Sequence, residues 1–439
     1  MMTPVPVPAV RTLAADLAQV PPGEIVTVRG HVHRRRELSA VAFLVIRDRS
    51  GLVQAVVDRA AGTAALPPEE TPVEVTGTLS TNPKAPGGHE ITAPRITPLG
   101  DPAATPPVEI WRPALTASLP TLLDHADVAW RHRTQRARWR LAAQSLRAFR
   151  ETLDAQGFTE ILTPKLVGGA TESGAGLFAV DYFGREAFLA QSPQLYKQQL
   201  VGAFERVYEI GPVFRAEPHD TVRHLAQYSS MDVELGFVRD HRDVLDVLVG
   251  VLRAMVQGLA QRAAAELDLL DVELPRIPQE VPVIRFADAL ALLGADPAEE
   301  DLSPEHEREL GRWARAEHDS DLLAVEGYPL AKRPFYTHPW TGPQIPGGPW
   351  SNSFDLLFRG VELVTGGQRL HRHRDYLSAL AERGMSAAAH ADYLRAFEHG
   401  MPPHGGFAIG LERWVSRLIG AANVREVALF PRDLHRLAP

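Results

Sequence analysis

From residue 24 to 100 the apolar positions fall in short β-branched runs. These are Ile25–Gly30, Val41–Arg47, Leu52–Asp58 and Val73–Leu79, with turn-forming stretches such as Asp48–Gly51 between them. Some five strands in under 100 residues predict a small barrel of the oligonucleotide-binding kind. Proline then crowds residues 101–125, which read as a connection. From about Trp130 the apolar spacing becomes helical and runs to Gly157, where a helix should stop. Beyond it, strands and helices alternate without the rhythm of a doubly wound sheet, so an antiparallel sheet with packed helices is expected. The predicted class is α+β, with a five-stranded β-barrel (OB-fold) over 1–104, a hinge over 105–129 and a second domain over 130–439.

Composition agrees and removes some chemistries. The chain has 439 residues, 45% hydrophobic and 23% charged, enough for two or three cores. No apolar run reaches the roughly 20 residues that span a bilayer. The opening MMTPVPVPAV lacks the basic-then-apolar order of a secretory signal, so a cytoplasmic, membrane-free protein is expected. With no cysteine, disulfides, thiolate metal sites and thiol nucleophiles are excluded. The net charge of −8 argues against a globally basic nucleic-acid binder but leaves room for local patches. Only Lys84, Lys165, Lys197 and Lys332 are lysines among 46 basic residues. Where this chain keeps a lysine, a generic demand for charge would usually have been met by arginine.

No Gly-x-x-x-x-Gly-Lys loop and no strand-following Gly-x-Gly-x-x-Gly are present, so any ATP is held otherwise. Three segments carry candidate chemistry. Val207-Tyr-Glu-Ile-Gly-Pro-Val-Phe-Arg-Ala-Glu217 is a predicted strand ending in a charged pair, followed by Arg223-His224-Leu225 and Tyr228. An arginine there can clamp a phosphate, although Arg215 and Glu217 taken alone are better explained by a surface ion pair. Gly405-Gly-Phe-Ala-Ile-Gly-Leu-Glu-Arg413 reads as a glycine-rich strand that a ligand can approach, with a helix behind it offering Arg413 to an anion. Gly157-Phe-Thr-Glu-Ile-Leu-Thr-Pro164 precedes both.

Taken in order, these segments resemble the three signature motifs of class II aminoacyl-tRNA synthetases. The resemblance runs from Gly23 to Asp433 and implies an antiparallel-sheet catalytic domain, ATP as substrate and a homodimer formed through the first motif. It assigns Arg215, Ala216, Glu217, Arg223, His224, Leu225, Glu362, Gly410, Leu411, Glu412 and Arg413 to ATP, with Arg215, Glu362 and Arg413 at the reacting phosphates. The stretch Gln191-Ser-Pro-Gln-Leu-Tyr-Lys-Gln198 is similar to the aspartate-activating branch, whereas asparagine-activating relatives carry an uncharged residue at position 197. A buried substrate carboxylate needs a fixed cation, and an amide would leave that cation unpaired. Lys197 and Arg369 would supply two such charges. The resemblance adds Glu172, Gln194, Arg215, Asp232 and Thr365 to the aspartate site, and Asp355, Glu362 and Thr365 as ligands of Mg²⁺ with ATP.

In the barrel, Arg34–Arg36 form a basic patch beside Phe43, the stacking-plus-phosphate pattern of single-strand binding, although Phe43 would ordinarily be core. By resemblance Arg36, Phe43 and Gln54 read the anticodon. His33 and Pro86 stand where enzymes confined to tRNA(Asp) tend to have tryptophan and lysine. That implies charging of both tRNA(Asp) and tRNA(Asn), with an amidotransferase to convert the second product. The competing readings are an enzyme for tRNA(Asp) only, an asparaginyl-tRNA synthetase, an inactive RNA-binding paralogue, and an amidating enzyme built on the catalytic domain.

Overall fold

Alternation between inward and outward side chains builds the first unit. The strands are β1 (Ile25–Glu37), β2 (Val41–Arg47), β3 (Leu52–Asp58), β4 (Pro72–Thr81) and β5 (His89–Pro98). They close a barrel in the order β1-β2-β3-β5-β4, antiparallel except where β3 meets β5. Ala42, Leu44 and Ile46 of β2 and Val53, Ala55 and Val57 of β3 point inward and are almost fully buried. A closed barrel leaves no free edge. The five-stranded OB-type expectation is borne out; β1 runs seven residues further than predicted, to Glu37.

The computed structural model describes residues 11–59, 65–169, 176–218, 220–343 and 347–439. It divides the chain between His132 and Arg133. The proline-rich stretch read as a hinge carries a short helix, Leu119–Asp124, started by Ser118 accepting from the Thr121 N–H. The helix expected from Trp130 begins at Arg133. Residues 130–132 form a turn in which His132, fully buried, pairs through Nε2 with the Arg112 carbonyl.

In the second unit, α1 (Arg133–Ala155) ends before Gly157, whose φ of 77° lets the chain reverse as predicted. The main sheet has eight strands among the described residues: β6 (Thr159–Glu160), β7 (Arg206–Phe214), β8 (Gln227–Gly236), β9 (Val283–Arg285), β10 (Leu322–Glu326), β11 (Ser353–Phe358), β12 (Glu362–Arg369) and β13 (His404–Gly410). Their order is β9-β10-β11-β12-β13-β8-β7-β6, antiparallel apart from the pairs at either edge. The helices that matter for the site are α2 (Gln194–Phe204), α3 (His241–Arg262), α4 (Pro304–His318) and α5 (Leu411–Leu418). Leu141, Phe149 and Leu153 of α1 and Leu248, Leu252 and Met255 of α3 pack with Phe354, Phe407 and Trp414 into the main core. Among the described residues no helix is long and apolar enough to cross a membrane.

Candidate active site

The central strands put functional side chains on one face because their registers align. Asp232 of β8 lies opposite Ala408 of β13, which lies opposite Thr365 of β12. One pleat along, Glu234, Gly406 and Gly367 repeat the row. A Cβ on Gly406 would come within 2.2 Å of the Glu234 carboxylate and 2.1 Å of the Val233 carbonyl. The glycines at 405 and 406, expected to admit a ligand, therefore make room for the protein's own backbone and for Glu234. Gly410, at the strand end, is the one that lines the cavity.

Above this floor α2 lowers Lys197 into the interior, where only 1% of the residue is accessible. Its Nζ lies 3.0 Å from Asp232 Oδ1 and 3.3 Å from Glu234 Oε2. Arg369 donates from Nε to Glu234 Oε1 at 3.0 Å and from Nη2 to the Gly406 carbonyl at 2.9 Å. Burial alone would raise the Glu234 carboxyl, but Arg369 and Lys197 hold it below its ordinary value. Behind the cluster, Gln198 bonds Gln194, Tyr376, Tyr393 and His404. Burial keeps His404 down at about 4, so it adds no third cation near neutral pH. The result is a charge-balanced pair of cations fixed in place. Lysine and arginine are donors only, so the stretch of cavity wall they line suits an acceptor rather than an amide NH₂.

The same cavity, about 440 Å³, extends to a second polar end. Arg215 and Glu217 follow β7 in the loop rather than within the strand, and Arg223, His224, Leu225 and Tyr228 complete that wall. The Arg215 guanidinium lies 5.6 Å from the centre of the Tyr228 ring. His224 Nδ1 lies 2.6 Å from Thr221 Oγ1. Arg413, on the first turn of α5, donates to the Glu362 carbonyl at 3.1 Å, and its Nη1 stands 3.8 Å from Glu362 Oε1. Thr365 donates to Glu362 Oε1 at 3.3 Å. Burial and neighbouring Asp355 push Glu362 up to about 7 against Arg413 and Arg333. Its side chain keeps 40% of its surface open to the cavity, so water tempers the push, and a cation bound there would reverse it. A carboxylate and a hydroxyl on the cavity wall fit a hard divalent ion that takes most of its oxygen ligands from outside the protein.

Of the sequence-based candidates, Gln194, Lys197, Arg215, Glu217, Arg223, His224, Leu225, Asp232, Glu362, Thr365, Arg369, Gly410, Glu412 and Arg413 share this one cavity. Glu172 lies outside the described residues. Ala216 and Leu411 are not on the cavity wall: Ala216 bonds the Gly176 carbonyl through its N–H, and Leu411 is in the core. Asp355, expected to face ATP beside Glu362, instead has both oxygens held by Arg333 at 3.0 and 2.8 Å and stays buried behind the wall. Three residues escaped the sequence reading. Glu234 sits two positions after Asp232, and strand periodicity alone could have flagged it. Arg333 and Glu307, whose Oε2 accepts from the Glu362 N–H at 3.0 Å, come from distant segments with no local signature.

The barrel groups its own candidates. Arg36 pairs directly with Phe43 across β1 and β2, and Gln54 shares their outward face on β3. Phe43 is thus half-buried on the outside of the barrel rather than in its core. The Arg36 side chain is exposed and makes no ion pair or hydrogen bond among the described residues, whereas Arg34 is held by Glu69 at 3.0 Å. His33 is tethered: Arg47 donates to its Nδ1 at 3.0 Å while gripping Glu70 through two bonds of 2.8 Å. Pro86 opens a single turn, Pro86–Gly88, and Gln54 and Asn82 both donate to Glu90.

A closed barrel and an antiparallel sheet whose arginines flank one cavity are the two parts of a class II synthetase that reads RNA. The chain belongs to the tRNA synthetases class II (D, K and N), whose family model matches residues 119–434; that of the OB-fold nucleic acid binding domain matches 26–99. Among individual proteins, it is similar to the aspartate–tRNA(Asp/Asn) ligase of Thermus thermophilus, at 45% identity over 98% of this chain and 100% of that one. The aspartate–tRNA(Asp/Asn) ligase of Deinococcus radiodurans is 42% identical over 98% of this chain and 99% of its own length. In structure it resembles the asparaginyl-tRNA synthetase of Pyrococcus horikoshii complexed with asparaginyl-adenylate, with a TM-score of 0.85 and 29% identity, covering 95% and 97% of the two chains.

Proposed function

We propose that this chain is an aspartate–tRNA ligase that uses ATP to activate L-aspartate and loads it onto both tRNA(Asp) and tRNA(Asn). The observation that carries the amino acid is the buried Lys197–Arg369 pair, fixed by Asp232 and Glu234. Donor-only groups on that wall favour a side-chain carboxylate. Gln194 belongs to the same pocket, and Glu172 is assigned to the substrate ammonium.

The chemistry is two displacements. The α-carboxylate of aspartate attacks the α-phosphate of ATP, the bond to the bridging oxygen breaks, and pyrophosphate leaves. A hydroxyl of the terminal adenosine of tRNA then attacks the acyl carbon of the aspartyl-adenylate, expelling AMP. Arg215 neutralises charge at the α-phosphate, Arg413 holds the distal phosphates, and Glu217 with His224 positions the nucleotide. Mg²⁺, bound by Glu362 and Thr365 with the phosphates, would neutralise charge on the triphosphate; Asp355 acts behind them by fixing Arg333. Such catalysis rests on positioning and fixed electrostatics and needs no protein nucleophile.

Arg36, Phe43 and Gln54 form the anticodon-reading face, the barrel (1–104) being joined by residues 105–129 to the catalytic part from 130 onward. His33, tied back to Arg47, cannot offer the large stacking surface of a tryptophan, and Pro86 has no long donor. Both favour tolerance at the third anticodon base, and an amidotransferase would then complete asparagine on tRNA(Asn). Leu162, in the first motif and 85% exposed, supports a homodimer that covers it. A cytoplasmic setting suits these partners. The test is ATP–pyrophosphate exchange with aspartate against asparagine, followed by charging of each tRNA. Exchange with asparagine and not aspartate would overturn the assignment.

A further inference from the structure

A second recess, about 770 Å³, opens behind the phosphate end of the cavity, between α4, α5 and the β11–β12 turn. It shares Arg223, Arg413 and Val424 with the active-site wall, so the two spaces meet at the arginines facing ATP. Among the described residues that line it, seven of eighteen are arginines and Asp321 is the single carboxylate. Part of that charge is answered. Asp321 pairs with Arg315 at 3.1 Å and with Arg359 at 3.4 Å, and Glu273 and Asp319 stand 3.8 and 3.9 Å from Arg315. Glu309 holds Arg312 at 2.8 Å, and Glu307 lies 3.8 Å from Arg223.

The remainder is unanswered. Arg308 makes no ion pair or hydrogen bond among the described residues. Arg417 has a buried Nε without an acceptor, and its guanidinium leans on the Arg359 carbonyl. Burial, Arg359 and Arg223 all work against the charge on Arg417, as expected where cations crowd without a counter-anion. A concave surface with a large excess of positive charge focuses the potential for small polyanions.

We infer that this recess is a holding site for the pyrophosphate released on activation, which passes between Arg223 and Arg413 into the chamber of Arg308, Arg312 and Arg417. The inference rests on the activation chemistry proposed above. A chamber on the exit side takes the leaving group away from the α-phosphate without opening the aspartate pocket. It therefore clears the α-phosphate while the adenylate awaits tRNA. The reverse reaction must draw pyrophosphate back through the same arginines.

The experiment is ATP–pyrophosphate exchange with the full-length protein, varying inorganic pyrophosphate, ATP and aspartate in turn. Arg308→Gln/Arg312→Gln changes two exposed side chains on one helix face and leaves the residues assigned to ATP intact. The expected result is a KM for pyrophosphate raised at least fivefold, with the KM values for ATP and aspartate within twofold of the parent. Arg308→Lys/Arg312→Lys should recover most of the loss, which a purely structural defect would not allow. An unchanged KM for pyrophosphate overturns the inference, as does an equal rise in the KM for ATP. Absence of exchange in the parent protein would instead sink the activation reading itself.

Discussion

Lys197 and Arg369 acquire their meaning from the two carboxylates that hold them. An isolated lysine at 1% exposure would be expelled or neutralised; Asp232 and Glu234 make its charge tolerable and fix where it points. Removing one partner of such a buried cluster typically costs about 3–5 kcal/mol, because the others are left uncompensated. Lys197→Met should therefore lower kcat/KM for aspartate at least about 100-fold, read by exchange kinetics. Glu234→Gln keeps the shape and lets Arg369 and Lys197 turn. It should raise the KM for aspartate about tenfold or more while sparing the KM for ATP. Equal losses for both substrates would point to collapse of the cavity rather than to the amino-acid pocket.

At the scale of elements, backbone proximity does the positioning. Gly406 on β13 leaves no space for a methyl group against β8, and the atom in the way is a backbone carbonyl that cannot yield. Gly406→Ala should cost about 3 kcal/mol or more of unfolding free energy in urea. A second device ties β10 to α3: Glu326 accepts from His241 at 2.8 Å and from Arg242 at 2.6 Å. Against the raising effect of burial, these partners depress its carboxyl to about 2 from 4.5. Its contribution is therefore fully present above pH 4.5 and is lost as pH falls toward 2. By linkage it amounts to at most about 3 kcal/mol, reduced by solvent at the exposed Arg242. Between pH 6 and pH 3, Glu326→Gln should lose correspondingly less stability than the parent. Elements of this kind were partly legible in the chain. The runs at 41–47 and 52–58 became strands with those limits, because alternating burial is a local property of sequence. Arg333 was not legible, since its role depends on meeting Asp355 across 22 positions, and no spacing rule encodes that encounter. Asp355 was misplaced for the same reason: a carboxylate in a strand next to the site looks like a ligand until its partner is seen.

Across the whole molecule, the specificity of the two ends is unequal. The proposed amino-acid pocket is buried and charge-balanced, whereas the barrel face proposed to read RNA is half exposed and has one tethered imidazole in place of a broad ring. His33→Trp combined with Pro86→Lys should thus reduce charging of tRNA(Asn) relative to tRNA(Asp) by at least about fivefold, while exchange without tRNA stays unchanged. If exchange falls as well, the substitutions have disturbed more than the barrel. Aminoacylation of purified tRNA(Asp) and tRNA(Asn) with labelled aspartate and with labelled asparagine reads both ends at once. Aspartate should appear on both tRNAs and asparagine on neither; asparagine on tRNA(Asn), or no aspartate on either tRNA, would overturn the proposed function.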